Sequence, residues 1–128
     1  MRLEDVLAEH APDRVIDFLK IDVEGAEREV LESFDPRRIR PTIVVVEAIS
    51  PLDNHATHEE WESILLDARY LLAAFDGINR FYVTAEHEQL VSDLAYPMSV
   101  LDRYVVHSRA KPQEPGADEH KAQRRPNA

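Results

Sequence analysis

The chain has 128 residues, no cysteine and a formal net charge of −10. The length suffices for one domain with a buried core, and the lack of cysteine excludes disulfides, zinc–thiolate sites and thiol nucleophiles. The acidity disfavours nucleic acid and anionic membranes as partners. The sequence has no apolar run of membrane-spanning or signal-peptide length, so we expect a cytoplasmic protein.

The first half of the chain alternates between helical and strand periodicity. Apolar residues at helical spacing predict a helix over residues 3–9 and another over 26–34. The β-branched and apolar residues at 15–23 predict a buried strand. The nearly continuous apolar run at 42–48 predicts a central strand covered on both faces.

The second half begins with a capping-box pattern. Thr57 and Glu60 have the spacing at which each side chain can bond the backbone of the other at a helix start. The helix is expected to continue beyond Trp61. Two strands, at 70–75 and 80–84, flank a turn rich in Asp, Gly and Asn and predict a hairpin.

The C-terminal region carries weaker signals. Residues 86–94 predict a helix, and residues 100–106 fit either a last short helix or an edge segment. Residues 111–128 contain prolines and charges with almost nothing to bury, so we expect a disordered tail behind a folded part at 1–110. The alternation of strands and helices predicts an α/β fold with mostly parallel strands and one antiparallel hairpin strand.

In open α/β sheets, ligands bind at the carboxyl ends of the strands. Asp22 and Glu24 follow the strand at 15–23 and point the same way in extended backbone, next to Gly25, which would allow a close approach. They are candidates for a general base or a metal ligand. The alternative is that Glu24 and Glu27 only complement the positive end of the next helix.

Other polar residues near strand ends are less specific. Glu47 finishes the apolar run at 42–48 and either faces a site opposite Asp22 or meets solvent. Residues 76–80 form a third place, although a hairpin turn alone explains them. His55 and His58 are conceivable metal ligands, but they straddle a helix start and a structural role is favoured.

Several segments together resemble one family. FLKIDVEGAEREVLESFD (18–35) resembles the signature segment of the FkbM family of S-adenosylmethionine-dependent methyltransferases. RPTIVVVEA (40–48), FDGINRFYV (75–83) and YPMSVLDRY (96–104) resemble its later segments, in the family's order. With the stretch that resembles the preceding leucine–acidic segment, the resemblance covers nearly all of residues 3–104.

The resemblance implies a class I methyltransferase fold, a Rossmann-like sheet of seven strands with its last strand antiparallel. Residues 1–110 would then be the C-terminal half, with strands four to seven. The implied reaction is O-methylation of a sugar or small-molecule hydroxyl with S-adenosylmethionine as cofactor. In such a site the catalytic candidates are Asp22 and Glu24, as acceptor-orienting or base groups, and also Lys20. No metal is predicted outright, although Asp22, Glu24 and Glu47 would be the ligands of a divalent ion.

The chain departs from this family in one respect. The glycine-rich turn and the acidic ribose-binding residue of such enzymes lie in an N-terminal half for which this sequence has no counterpart, so the cofactor-binding residues are unknown. The strand at 15–23 would then be an exposed apolar edge. We therefore expect a truncated methyltransferase, with two alternatives. One is a non-catalytic module that pairs with a second copy or a partner through this edge, and the other is an inactive gene fragment.

Overall fold

The computed structural model describes residues 1–95. Four helices and four strands make up this part of the chain. The helices are α1 (Leu3–His10), α2 (Glu27–Glu32), α3 (Glu62–Asp67) and α4 (Leu90–Leu94), and the strands are β1 (Phe18–Ile21), β2 (Ile43–Glu47), β3 (Tyr70–Phe75) and β4 (Asn79–Thr84). Among these residues, none of the helices has the length and apolar character needed to cross a membrane.

The strands form one mixed sheet in the order β1-β2-β4-β3. β1 runs parallel to β2, and β4 runs antiparallel to both of its neighbours. Three strands therefore point one way and one points the other, and the antiparallel strand comes from the hairpin, as the sequence predicts. The small α/β fold is confirmed.

β2 is one of the two interior strands of the sheet. Val44, Val45 and Val46 are all buried, which confirms the prediction of a strand covered on both faces. Strands of this kind are rich in β-branched residues because the side chains on both faces of the sheet must be apolar. The core cluster also contains Leu31 of α2, Leu65 of α3 and Tyr82 of β4. It includes Phe34, which follows α2, and Trp61, which precedes α3.

The start of β2 is tied to the end of α3 by Arg40. Its guanidinium donates to the backbone oxygens of Ala68 (2.7 Å) and Arg69 (3.3 Å) and lies 4.9 Å from the centre of the Tyr70 ring. The Tyr70 hydroxyl donates to the oxygen of Pro41 at 2.7 Å, and burial raises the pKa of this phenol to about 12. These bonds fix the end of the sheet opposite to the carboxyl ends of β1 and β2.

The prediction that residues 15–23 form a buried strand is wrong in extent and in burial. The strand covers Phe18–Ile21, and Phe18 remains 55% exposed while Ile21 is buried. Among the described residues β1 pairs only with β2, and its alternate side chains point away from the helices that cover the core. β1 is thus an exposed edge, which is what the family resemblance implies for this segment.

Two local predictions in the second half also need correction. Thr57 makes no capping bond, because its backbone (φ −104°, ψ −10°) has the helical conformation and not the extended one of an N-cap. A short 3₁₀ turn, His58–Glu60, precedes α3 instead. The helix predicted at 86–94 is divided into a 3₁₀ turn, Ala85–His87, and α4. The predictions for residues 96–128 lie outside the described residues.

The core contact of α3 can be tested with two neighbouring leucines. Leu65 is fully buried, whereas Leu66 is 46% exposed. Leu65→Ala should lower the free energy of unfolding by about 2–5 kcal/mol. Leu66→Ala should change it by no more than about 0.5 kcal/mol. Urea denaturation followed by circular dichroism measures both, and equal losses would contradict the packing described.

Candidate functional site

The three places that the sequence singles out lie at the same end of the sheet. Asp22 follows β1, Glu47 ends β2, and Asn79 at the start of β4 is directly opposite Glu47. The carboxylate oxygens of Asp22, Glu24 and Glu47 all lie within 4.8 Å of one another. We call these three residues the carboxylate trio. It arises because parallel strands bring their carboxyl ends to one edge and the antiparallel β4 begins there.

A left-handed turn brings Glu24 back towards β2. Glu24 has φ 53° and Gly25 has φ 98°. Any side chain at position 25 would be strained at this φ, although a Cβ there would meet no atom within 4 Å. Gly25 is therefore required by the backbone conformation of the turn, and the space beside it is open.

Glu27 stabilises this turn through hydrogen bonds to its backbone. It is buried, and its Oε1 accepts hydrogen bonds from the backbone N–H groups of Val23 (3.2 Å) and Gly25 (3.3 Å). As the first residue of α2, Glu27 is placed to complement the positive end of that helix, as the alternative interpretation holds, but both acidic residues, Glu24 and Glu27, also have other contacts. Glu27 positions the turn through direct bonds, and Glu24 belongs to the carboxylate trio.

The trio is electrostatically asymmetric. Burial, followed by the neighbouring Asp22 carboxyl, raises the pKa of Glu47 above its usual value. Lys20 donates from Nζ to Asp22 Oδ2 at 2.9 Å, and this bond, followed by one with Glu47, lowers the pKa of Asp22. The same bond to Asp22 raises the pKa of Lys20. Of the two carboxyls, Glu47 therefore has the higher affinity for a proton.

Two buried oxygens beside the trio have no hydrogen-bond partner within residues 1–95. They are Glu47 Oε2 and Asn79 Oδ1, which belong to directly opposite residues of β2 and β4. Buried oxygens without a donor are costly, so each of these two would be stabilised by a donor from water or from a ligand. This end of the sheet can therefore accept hydrogen bonds from a ligand.

The hairpin turn itself is built by Asp76. Its Oδ1 accepts from the backbone N–H groups of Ile78 (2.9 Å) and Asn79 (2.7 Å), and its Oδ2 accepts from the Asn79 side chain at 3.1 Å. Partial burial disfavours the ionised form of Asp76, but these hydrogen bonds outweigh the effect of burial and lower the pKa of Asp76. Asp76 thus shapes the turn and orients Asn79. The interpretation of residues 76–80 as a hairpin turn is therefore sufficient to explain Asp76.

Sequence reasoning missed a second polar cluster, on the helical face of the sheet. Glu62 Oε1 accepts from Arg80 at 2.6 Å and from the Tyr82 hydroxyl at 2.8 Å. These bonds attach α3 to β4, and burial raises the pKa of Tyr82. Glu62 is 18 residues from Arg80 and 20 residues from Tyr82 in the sequence, so no local pattern indicates their contact.

His55 and His58 are not part of the carboxylate trio. The Nδ1 atom of His55 lies 2.5 Å from Asp53 Oδ1, and this bond lowers the pKa of Asp53. Among the described residues, the carboxylate trio is the group that could hold a metal ion, and neither His55 nor His58 belongs to it.

The role of Glu27 can be tested by comparing two substitutions. Glu27→Ala removes the acceptor of two backbone N–H groups and should lower the free energy of unfolding by roughly 1–3 kcal/mol. Glu27→Gln keeps a side-chain oxygen and should lose much less. Hydrogen exchange of the Val23 and Gly25 amides should accelerate in Glu27→Ala and not in Glu29→Ala, an exposed control on the same helix. Equal exchange rates in both alanine variants would contradict this role.

Comparison with known proteins identifies the family. The family model described as the methyltransferase FkbM domain matches residues 1–72, more than half of the chain. Neither the curated proteins nor the solved structures contain a match to the chain. The matched segment includes β1, β2, the turn between β1 and α2, and all three residues of the carboxylate trio. The chain therefore belongs to the methyltransferase FkbM domain family.

Proposed function

We propose that this protein takes part in methyl transfer from S-adenosylmethionine to a hydroxyl group of a small molecule or sugar. The observation that carries the proposal is the carboxylate trio at the carboxyl ends of β1 and β2 in a chain of the FkbM family. In open α/β sheets this is the edge at which ligands bind.

The residues at this edge suit a cationic cofactor. S-adenosylmethionine carries a positive sulfonium, and Asp22, Glu24 and Glu47 offer negative charge within a small space. A groove of about 380 Å³ runs along β1 to Asp22 and is lined by apolar side chains that include Leu19 and Val30. When bound, the cofactor supplies the methyl group as an electrophile. The described residues contain no glycine-rich turn, so other groups would have to bind the rest of the cofactor.

The residues of the carboxylate trio have different roles in the reaction because their charge states differ. Asp22, held ionised by Lys20, would accept a hydrogen bond from the acceptor hydroxyl and orient it. Glu47, with its raised pKa, is the better proton acceptor as the oxygen–methyl bond forms and the sulfur–methyl bond breaks. Glu24 would orient the acceptor from the turn. Lys20 acts through Asp22 and is a positioning residue.

The trio also supports a second arrangement, in which it binds a divalent cation. Three carboxylates with oxygens within 4.8 Å offer the hard oxygen ligands that Mg²⁺, Mn²⁺ and Ca²⁺ prefer. In that case the metal would orient the acceptor hydroxyl, and Glu47 would be a ligand instead of the proton acceptor.

The electrostatic interaction between Asp22 and Glu47 can be tested without measuring enzyme activity. Asp22→Asn removes the neighbouring negative charge, so the pKa of Glu47 should fall towards its ordinary value of 4.5. If Glu47 is the base, the rising limb of the pH–rate profile should move to lower pH by the same amount. Carbon-13 NMR titration of the Glu47 carboxyl measures the shift, with Asp67→Asn, at an exposed position, as the control. An unchanged Glu47 pKa in Asp22→Asn would contradict the coupling.

Methyl transfer itself is tested with the full chain, labelled S-adenosylmethionine and a panel of hydroxylated acceptors. Glu47→Gln should lower kcat by roughly 10²- to 10⁴-fold, because it removes the proton acceptor. Glu88→Gln, at an exposed position on the surface, should leave the rate unchanged.

The same assay separates the two roles of the trio. Activity that persists in EDTA favours Glu47 as the base, and activity that requires Mg²⁺ favours the cation arrangement. A folded wild-type chain that neither binds S-adenosylmethionine in calorimetry nor transfers its methyl group would contradict the proposed function.

A further inference from the structure

Asn79 begins β4 at the same edge of the sheet as the carboxylate trio. The Ala48 N–H donates to the oxygen of Ile78 at 2.8 Å, and these two residues are the pair that follows Glu47 and Asn79 in the β2–β4 register. Hydrogen-bonded pairs alternate with pairs that are not hydrogen-bonded along an antiparallel ladder. Glu47 and Asn79 therefore form a non-hydrogen-bonded pair, whose side chains share one face with Cβ atoms about 4.5–5.5 Å apart.

Asp76 determines which end of the Asn79 amide is available to a ligand. The amide Nδ2 donates to Asp76 Oδ2 at 3.1 Å. The partial burial of Asp76 is outweighed by its hydrogen bonds, so its pKa is lowered and its carboxylate has no proton to donate. A flipped amide would place Asn79 Oδ1 against this carboxylate. Asn79 therefore presents Oδ1, and not Nδ2, to a ligand beside Glu47.

Two unpaired acceptor oxygens thus belong to adjacent strands. Within residues 1–95, neither Glu47 Oε2 nor Asn79 Oδ1 has a hydrogen-bond donor, and both atoms are buried. Directly opposite side chains of a ladder are within reach of two hydroxyl groups on neighbouring carbon atoms of one molecule. A ligand with a single hydroxyl would leave one of the two oxygens unpaired, and a buried unpaired acceptor is costly.

The charge of this edge favours hydroxyls over anionic groups. Lys20 is bonded to Asp22 through Nζ at 2.9 Å. The other polar side chains described at this edge offer oxygen atoms, namely Glu24, Glu47 and Asn79. A hydroxyl can donate to such oxygens, whereas an ionised phosphate or carboxylate has no proton to donate and is repelled by neighbouring carboxylates.

We propose that Asn79 determines acceptor specificity by binding a second hydroxyl, on the carbon atom next to the one whose hydroxyl is methylated. The reacting hydroxyl lies at Glu47, and Asn79 Oδ1 accepts a hydrogen bond from the neighbouring hydroxyl. The acceptor class is then an uncharged compound with adjacent free hydroxyls, such as an unphosphorylated polyol ring. This inference rests on the proposed function, because it specifies the acceptor of the same site.

Two isomeric cyclohexanediols test the proposal on the full chain without S-adenosylmethionine. The hydroxyls are adjacent in the cis-1,2 isomer and lie across the ring from each other in the trans-1,4 isomer. The 1,2 isomer should bind about three- to tenfold more tightly, because it supplies a donor to both oxygens. Carbon-13 NMR of the Glu47 carboxyl and the Asn79 amide measures both Kd values. Equal affinities, or no binding of either isomer, would overturn the proposal.

Substitutions at position 79 separate a role in binding from a role in the structure. Valine and threonine have similar shapes and both suit a strand, but only threonine carries an oxygen acceptor. Asn79→Val should raise the Kd of the 1,2 isomer to that of the 1,4 isomer, whereas Asn79→Thr should keep part of the preference. A purely structural role would weaken the binding of both isomers alike. Circular dichroism checks that each variant is folded. An unchanged preference in Asn79→Val would mean that Asn79 Oδ1 is paired with water only, and would overturn the proposal.

The outcome for this inference can be distinguished from that for the proposed function. The diol preference is measured without the cofactor and does not depend on methyl transfer. Methyl transfer at equal rates to both isomers would overturn the specificity and leave the proposed function intact. A 1,2 preference that disappears in Asn79→Val, in a chain that transfers no methyl group, would support the hydroxyl site and contradict only the proposed function.

Discussion

The burial of β2 on both faces is the constraint on which the rest of the structure depends. Because Val44, Val45 and Val46 are all buried, the strand must be interior, with β1 on one side and β4 on the other. The parallel neighbour places Asp22 beside Glu47, and the antiparallel neighbour places Asn79 opposite Glu47. The candidate site is thus a consequence of strand order and register, and no residue of it depends on a long loop.

Local hydrogen bonds and burial give the carboxyl groups of the trio different pKa values. Lys20 stabilises the ionised form of Asp22, and partial burial beside Asp22 disfavours ionisation of Glu47. Adjacent carboxyls with pKa values pushed apart are suited to different roles, one as a fixed acceptor and one as a proton carrier. Glu27 contributes by holding the turn that presents Glu24, although it takes no part in the trio.

The sequence predicts much of this fold because its local signals agree with the tertiary structure. The apolar run at 42–48, the strand at 70–75 and the Asp-Gly turn of the hairpin all appear where their patterns indicate. The burial of residues 15–23 could not be predicted, because an apolar strand looks the same at an edge and in the middle of a sheet. Thr57 fails as a cap for a similar reason: the capping pattern is local, whereas the Thr57 N–H bonds the distant oxygen of Ala48 at 2.9 Å and its backbone is helical.

The site was predictable only in part. Asp22, Glu24 and Glu47 stand out as acidic residues at the ends of apolar strands, but their contact and their unequal pKa values follow from the register. The central claim is that these carboxylates face the cofactor and the acceptor. Its most direct test is carbon-13 NMR of the carboxyl carbons of the full chain during titration with S-adenosylmethionine. Our account predicts saturable shifts at Asp22 and Glu47 and none at the exposed Asp67. Unchanged Asp22 and Glu47 signals in a folded chain would contradict it.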